Sequence, residues 1–273
     1  TLQDAAEDTP LNFTNIDTGT ITLAITDYIG DAWKVSDDLR EDGSQVDTLM
    51  AMRAMESTRA LGENHESRFM ATANAGQTAA NVNLVNGRPH RWVAGGAGAA
   101  TRNIVLADFV GMKLAFDKAN APAGGRIAIV DPIVEATLNT LISSTSVVNN
   151  TPQFQGVLNE GFARDHKFVR NIMGWDVYTS NFLPSLTATE AINASTYNLA
   201  NDTAEIGDKA NVFMCVADDS CKPVMHAWRR APQTEGWRSE EERGDKYQVT
   251  SRFGFGVQRL DTLGVILTDE STY

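Results

Sequence analysis

Between Tyr247 and Val257 the chain repeats with a period of two. Tyr247, Val249, Ser251, Phe253, Phe255 and Val257 alternate with Gln248, Thr250, Arg252, Gly254, Gly256 and Gln258. A period of two belongs to a pleated strand and not to a helix, so the segment reads as a half-buried antiparallel strand. Leu263, Val265 and Leu267 continue the same alternation beyond a turn near Asp261.

Upstream, the period changes. Ile21, Leu23 and Ile25 alternate with Thr22, Ala24 and Thr26, and the extended preference persists to Val35, giving a strand or hairpin arm. Gly43-Ser44 offers an N-cap, Asp47 puts negative charge in a first turn, and Val46, Met50, Ala54 and Leu61 recur at helical spacing. These features predict one long helix from Gln45 towards Ala73. Leu49, Met52, Met55 and Phe69 widen its apolar face, so the helix is expected to be packed along much of its length.

Gly76 to Arg102, rich in Asn and Gly, reads as a long irregular loop. Asn103 or Thr101 can cap a helix with Leu106, Phe109, Val110 and Leu114 on one face, ending before Pro122. Arg126 to Val130 follows as a strand, and Asp131-Pro132 supplies a cap and first-turn proline for a helix to about Ile142. A short helix is expected over Phe154 to Phe162, a strand over Ile172 to Tyr178, a surface excursion over Ser185 to Asn211, and a strand over Val212 to Val216. This order of helices and strands is α+β.

The formal charge of −12 argues against a chain that wraps nucleic acid, which needs clustered Lys and Arg to displace phosphate counterions. The charge suits a wall that should not adhere to an enclosed polyanion, and equally suits generic solubility. The longest apolar runs are too short to cross a bilayer, so no membrane partner is expected. Cys215 and Cys221 have no disulfide framework around them, consistent with a reducing compartment.

Reaction chemistry finds little support. Cys215, Cys221 and His226 match no zinc spacing, and no serine sits in a nucleophile elbow. Gly95-Gly96-Ala97-Gly98 lacks the Lys-Ser/Thr ending of a phosphate-binding loop. The pairs Asp37-Asp38 and Glu240-Glu241-Glu242 are interleaved with Arg40, Arg238 and Arg243, so they read as salt-bridged surface. No enzyme activity and no cofactor or metal are expected. Four Asn-x-Ser/Thr triplets, at Asn12, Asn149-Asn150, Asn193 and Asn201, carry little weight without a signal peptide.

The order of segments resembles a known family. The passage Ile21 to Ala73 resembles the arm-to-spine-helix passage of podophage coat proteins. "GRIAIVDPIVEATL", with Arg126, Asp131 and Pro132, resembles the helix, strand, Asp-Pro and helix of the same family. "FVRNIMGWDVYTSNFLP", from Phe168 to Pro184, resembles its strand followed by a polar Ser-Asn turn. Ala210 to Leu267 is similar to its returning strands. Together these span nearly all of Ile21 to Leu267 in the order of tailed-bacteriophage major capsid proteins of the Hong Kong 97 fold.

The resemblance implies an extended loop or arm (1–43), a peripheral domain with spine helix and long loop (44–103), an axial domain (104–220) and returning peripheral strands (221–273). It implies hexamers and pentamers forming an icosahedral shell around double-stranded DNA, assembled in a bacterial cytoplasm. Scaffolding and portal proteins would be partners, with a decoration protein as a further possibility. Tyr28, Ile29 and Trp33 are expected to anchor a neighbouring subunit, and Glu235, Arg238, Glu240, Glu241, Arg243 and Asp245 to pair charges across subunits. No Lys and Asn pair suited to covalent cross-linking is identifiable. A longer precursor is expected, because the family carries an arm and a further strand ahead of the one matched by Ile21 to Ile25. Competing readings are an encapsulin-like nanocompartment shell and a soluble α/β hydrolase or binding protein whose lid would be Gly76 to Arg102.

Overall fold

The computed structural model describes residues 22–43, 45–95, 101–143, 171–192, 197 and 203–269. The expected helix at Phe154 to Phe162, residues 96–100 of the Gly-rich stretch, Ser44, and the segment ahead of Thr22 lie outside them, as do the asparagines of the four triplets.

Two β-sheets share one long helix. Strands β1 (Asp27–Ser36), β9 (Val224–Ser239) and β10 (Gly244–Val257) form an antiparallel sheet in the order β1-β10-β9. The strand read from the alternation at Tyr247 to Val257 is therefore the centre of this sheet. The expected strand at Ile21 to Ile25 begins later, at Asp27. Ala24 and Ile25 instead cross close over Gly254, where an added Cβ would sit 2.6 Å from the Ala24 carbonyl oxygen.

Short helix α1 (Asp37–Asp42) follows, capped by the Ser36 hydroxyl accepting from the Leu39 N–H at 3.3 Å. Helix α2 (Val46–Ala75) has 30 residues, a length of about 45 Å at 1.5 Å rise per residue. Its N-cap is Gln45, without a side-chain cap bond. The helix is fastened to β1 by polar groups: Arg53 Nη2 donates to both carboxylate oxygens of Asp31 at 3.0 and 3.1 Å, the Ser57 hydroxyl donates to Asp31 at 2.6 Å, and Arg68 pairs with Asp27.

The second sheet has six strands in the order β2-β11-β8-β3-β5-β4: β2 (Arg91–Val93), β3 (Arg126–Val130), β4 (Asn171–Ile172), β5 (Trp175–Thr179), β8 (Lys209–Cys215) and β11 (Leu263–Thr268). Pairs β2/β11 and β3/β5 are parallel, the others antiparallel. Helices α3 (Leu106–Lys118) and α4 (Pro132–Ser143) cover one face through Phe109, Met112, Phe116, Val134 and Leu138 packed on Trp175, Phe213 and Ile266. The end of α2 covers the other face, placing Met70 and Ala73 against Val212, Met214 and Leu263. A strand buried on both faces needs no alternation, which is why every residue of β11 is buried and the half-buried reading of Leu263 to Leu267 fails.

Other expectations shift too. The supposed loop Gly76 to Arg102 contains fully buried β2, whose Arg91 guanidinium pairs with Glu190 at 2.7 Å and Asn74 at 2.8 Å. The cap of α3 is Val105 rather than Asn103 or Thr101. Its buried face runs through Phe109, Met112, Ala115 and Phe116, while Val110 and Leu114 are exposed. Within Ser185 to Asn211, β6 (Glu190–Ala191) pairs with β7 (Thr203–Ala204), and Leu186, Ile192 and Ala204 are buried against Val93 and Val265. The strand expected at Ile172 to Tyr178 is a tight β4/β5 hairpin turning at Met173-Gly174, both with positive φ. The Asp-Pro cap of α4 is as read, with Asp131 accepting from the Ile133 N–H at 3.0 Å.

Candidate functional site

A strand turns successive side chains to opposite faces, so Tyr28, Ile29 and Trp33 cannot act as one patch. Tyr28 is 61% exposed on the outer face of β1. Ile29 and Trp33 are half-buried on the inner face, the one that presents Asp27 and Asp31 to α2. Trp33 stacks on Tyr247 of β10, and its indole N–H is buried without a hydrogen-bond partner.

The charged candidates gather at the β9/β10 hairpin tip. Arg238 forks onto Asp37 of α1 at 2.9 and 3.1 Å and lies 3.7 Å from both Glu240 and Asp245. Asp245 also takes Arg40 at 2.5 Å. Glu242 sits between Lys246 at 2.5 Å and Lys34 at 3.0 Å, and these two ammonium groups hold its carboxyl below the usual range. Further up the ribbon, Glu235 accepts from Arg230 and from Gln248, each at 2.8 Å. Glu235, Arg238 and Asp245 are thus engaged within their own chain. Glu240, Glu241 and Arg243 project at the turn, and neither Glu241 nor Arg243 forms an ion pair among the described residues. Arg243 has φ 42°, and its carbonyl accepts from the Asp37 N–H at 3.1 Å, which fastens the tip to α1.

Sequence reasoning placed Leu49, Met52 and Met55 on a packed helix face. They are 57%, 62% and 73% exposed. The inner side of this part of α2 is occupied by the polar Arg53, Ser57 and Asp31 group, so these larger apolar side chains wind along the outside. The three form an exposed apolar row along α2, and the width of the helix's apolar face was the only sign of it in the sequence.

Among the described residues no group of three or more His, Cys, Asp or Glu side chains could hold a metal ion, and no helix is long and apolar enough to cross a membrane.

A family model described as phage capsid protein matches residues 18–268. Curated proteins gave no match to the chain. Among solved structures, the mature capsid of bacteriophage PhiM1 is similar at TM-score 0.62 and 12% identity, covering 100% of this chain and 80% of that one. The capsid of cyanophage P-SCSP1u is similar at TM-score 0.57 and 18% identity, covering 99% and 81%. The holo-SrpI encapsulin complex of Synechococcus elongatus is similar at TM-score 0.55 and 12% identity, covering 90% and 75%. The shared fold thus spans both phage capsids and an encapsulin.

Proposed function

Because this chain belongs to the phage capsid protein family and is a tailed-phage major capsid protein of the Hong Kong 97-like fold, we propose that it assembles as hexamers and pentamers into an icosahedral shell around double-stranded DNA. The observation that carries this reading is the family match, which runs from residue 18 to residue 268 and so takes in both sheets and α2. The encapsulin alternative rests on likeness of fold alone, at 12% identity. The role is structural rather than catalytic.

In this reading residues 1–43 form the arm, 44–103 and 221–273 the peripheral domain, and 104–220 the axial domain. The flanking segments lend β2 and β11 to the axial sheet. Neighbouring copies cover Tyr28, Leu49, Met52 and Met55, and the tip residues Glu240, Glu241 and Arg243 pair with charges on an adjacent subunit. Each contact is small, and the closed shell gains stability from their number. The charge of −12 keeps the wall from adhering to DNA and requires contacts to pair charges locally. Assembly takes place in the host cytoplasm with a scaffolding protein and a portal, and a decoration protein can bind the finished shell.

Electron microscopy of particles from infected cells tests the reading. Uniform shells filled with DNA are expected. Shells packed with protein cargo would favour the encapsulin alternative, and small monodisperse particles alone would defeat both.

A further inference from the structure

Two-thirds of the way along its length, α2 meets β9 through two imidazoles. His65 Nε2 and His226 Nε2 lie 3.1 Å apart, although the residues are 161 positions apart in sequence. We propose that His65 and His226 form a two-imidazole site for a late divalent transition ion such as Zn²⁺ or Ni²⁺, tying the spine helix to the β9/β10 ribbon.

The spacing suits an ion. Nitrogens at about 2.05 Å from a shared metal lie about 2.9 Å apart at a right angle and about 3.3 Å apart at the tetrahedral angle. The observed 3.1 Å falls between them. The ring centroids are only 4.8 Å apart with planes at 88°, closer than two rings aligned head-on along one N···N axis would be, so the rings are tilted off that axis. Imidazole nitrogen is a ligand that suits Zn²⁺, Ni²⁺ and Cu²⁺.

The surroundings hold the pair in place. His65 stacks on Trp228 with centroids 5.1 Å apart and packs against Phe253 and Phe255 at 4.9 and 4.8 Å. Burial among these rings lowers the basicity of both imidazoles, and for His65 the neighbouring His226 lowers it further. A metal takes the uncharged imidazole, so an ion at this pair competes with protons for both rings. His226 is exposed, so water can fill the remaining coordination positions. Two protein ligands make a weaker site than the closed four-ligand set of a structural zinc. Because the ligands come from distant elements, metal binding is coupled to the packing of α2 on the ribbon.

The test uses tag-free full-length protein. Thermal unfolding is followed with ZnCl₂, NiCl₂ or MgCl₂ and with a chelator, and Cu²⁺ is added separately for electron paramagnetic resonance. Zn²⁺ and Ni²⁺ at about 0.1 mM should raise the unfolding temperature by about 3 °C, whereas Mg²⁺ should not. His226→Gln, at an exposed strand position, should abolish the rise, and His65→Asn provides a second route to the same loss. The Cu²⁺ spectrum should show two nitrogen donors in the parent and fewer in either variant. No rise in the parent, or an equal rise in both variants, would mean that the pair is a hydrogen bond and nothing more.

Discussion

Trp33 of β1 lies directly opposite Tyr247 of β10, and their rings stack with centroids 6.0 Å apart and planes 19° from parallel. The pair closes the inner face of the three-stranded sheet near the point where β1 gives way to α1. A side chain engaged in this way serves its own subunit first.

Trp33→Ala should therefore lower the stability of the isolated subunit by about 1–3 kcal/mol, since it removes a half-buried aromatic stack. Tyr28→Ala, five residues away on the outer face, should change that stability by no more than about 0.5 kcal/mol. Its effect should appear in assembly yield. Denaturant unfolding of subunits, set beside particle counts, separates the two, and equal effects on stability would contradict the assignment of faces.

Arg238 and Asp37 tie the hairpin tip to α1, so their charges should be exchangeable. Arg238→Glu places two like charges together and should reduce assembly, and adding Asp37→Arg should restore most of it. If the double variant assembles no better than the single one, Arg238 acts on a neighbouring subunit instead. Raising salt should diminish the single variant's defect, because the pair is solvent-exposed.

Much of this architecture could be read from periodicity, and the failures share a cause. The alternation at Tyr247 to Val257 gave a real strand because one side meets α2 and the other does not. Strand β9 carries no alternation: it includes Pro232 and runs exposed along most of its length, so nothing in its pattern marks it before the hairpin register is known. Burial on both sides erases the period in β11, and in β2 it hides a strand inside an apparent loop. For the surface, residue type indicated that the tip is charged and the helix apolar. Whether Arg238 would face Asp37 or a neighbour, and whether Met52 and Met55 would face the core or the outside, depends on long-range contacts that composition does not encode.

Arg126 occupies a buried position between Phe116 and Trp175, with its guanidinium carbon 5.8 and 5.9 Å from their ring centroids. It donates to the Pro122 and Ala121 carbonyls and to Asp117, closing the connection from α3 to β3. Arg126→Met keeps the apolar stem but leaves those carbonyls unpaired, and should cost about 2–4 kcal/mol. Arg126→Lys should recover only part of this, because an ammonium cannot reproduce the planar fork. A Lys variant as stable as the parent would show that charge alone suffices.

Asp108, near the start of α3, gives a pH dependence of definite sign. Its carboxylate accepts from the Val105 N–H at 3.0 Å, the Gly95 N–H at 3.3 Å and the Trp92 indole at 3.3 Å. Burial nevertheless outweighs these bonds and raises its pKa to about 6. An unfolded chain releases this proton near the ordinary aspartate value of 3.8, so between about pH 4 and 6 the folded chain holds more protons. The contribution of Asp108 to stability is thus most favourable below pH 4 and declines as pH rises to 6. Asp108→Asn cannot ionise and removes this slope. The parent should lose up to about 3 kcal/mol relative to the variant across the window, with the two curves parallel above it. Subunit unfolding measured every half pH unit from 4 to 7.5 checks the result. A gap between the curves that stays constant from pH 4 to 6 would show that Asp108 ionises at its ordinary pKa and that the three donors fully offset its burial.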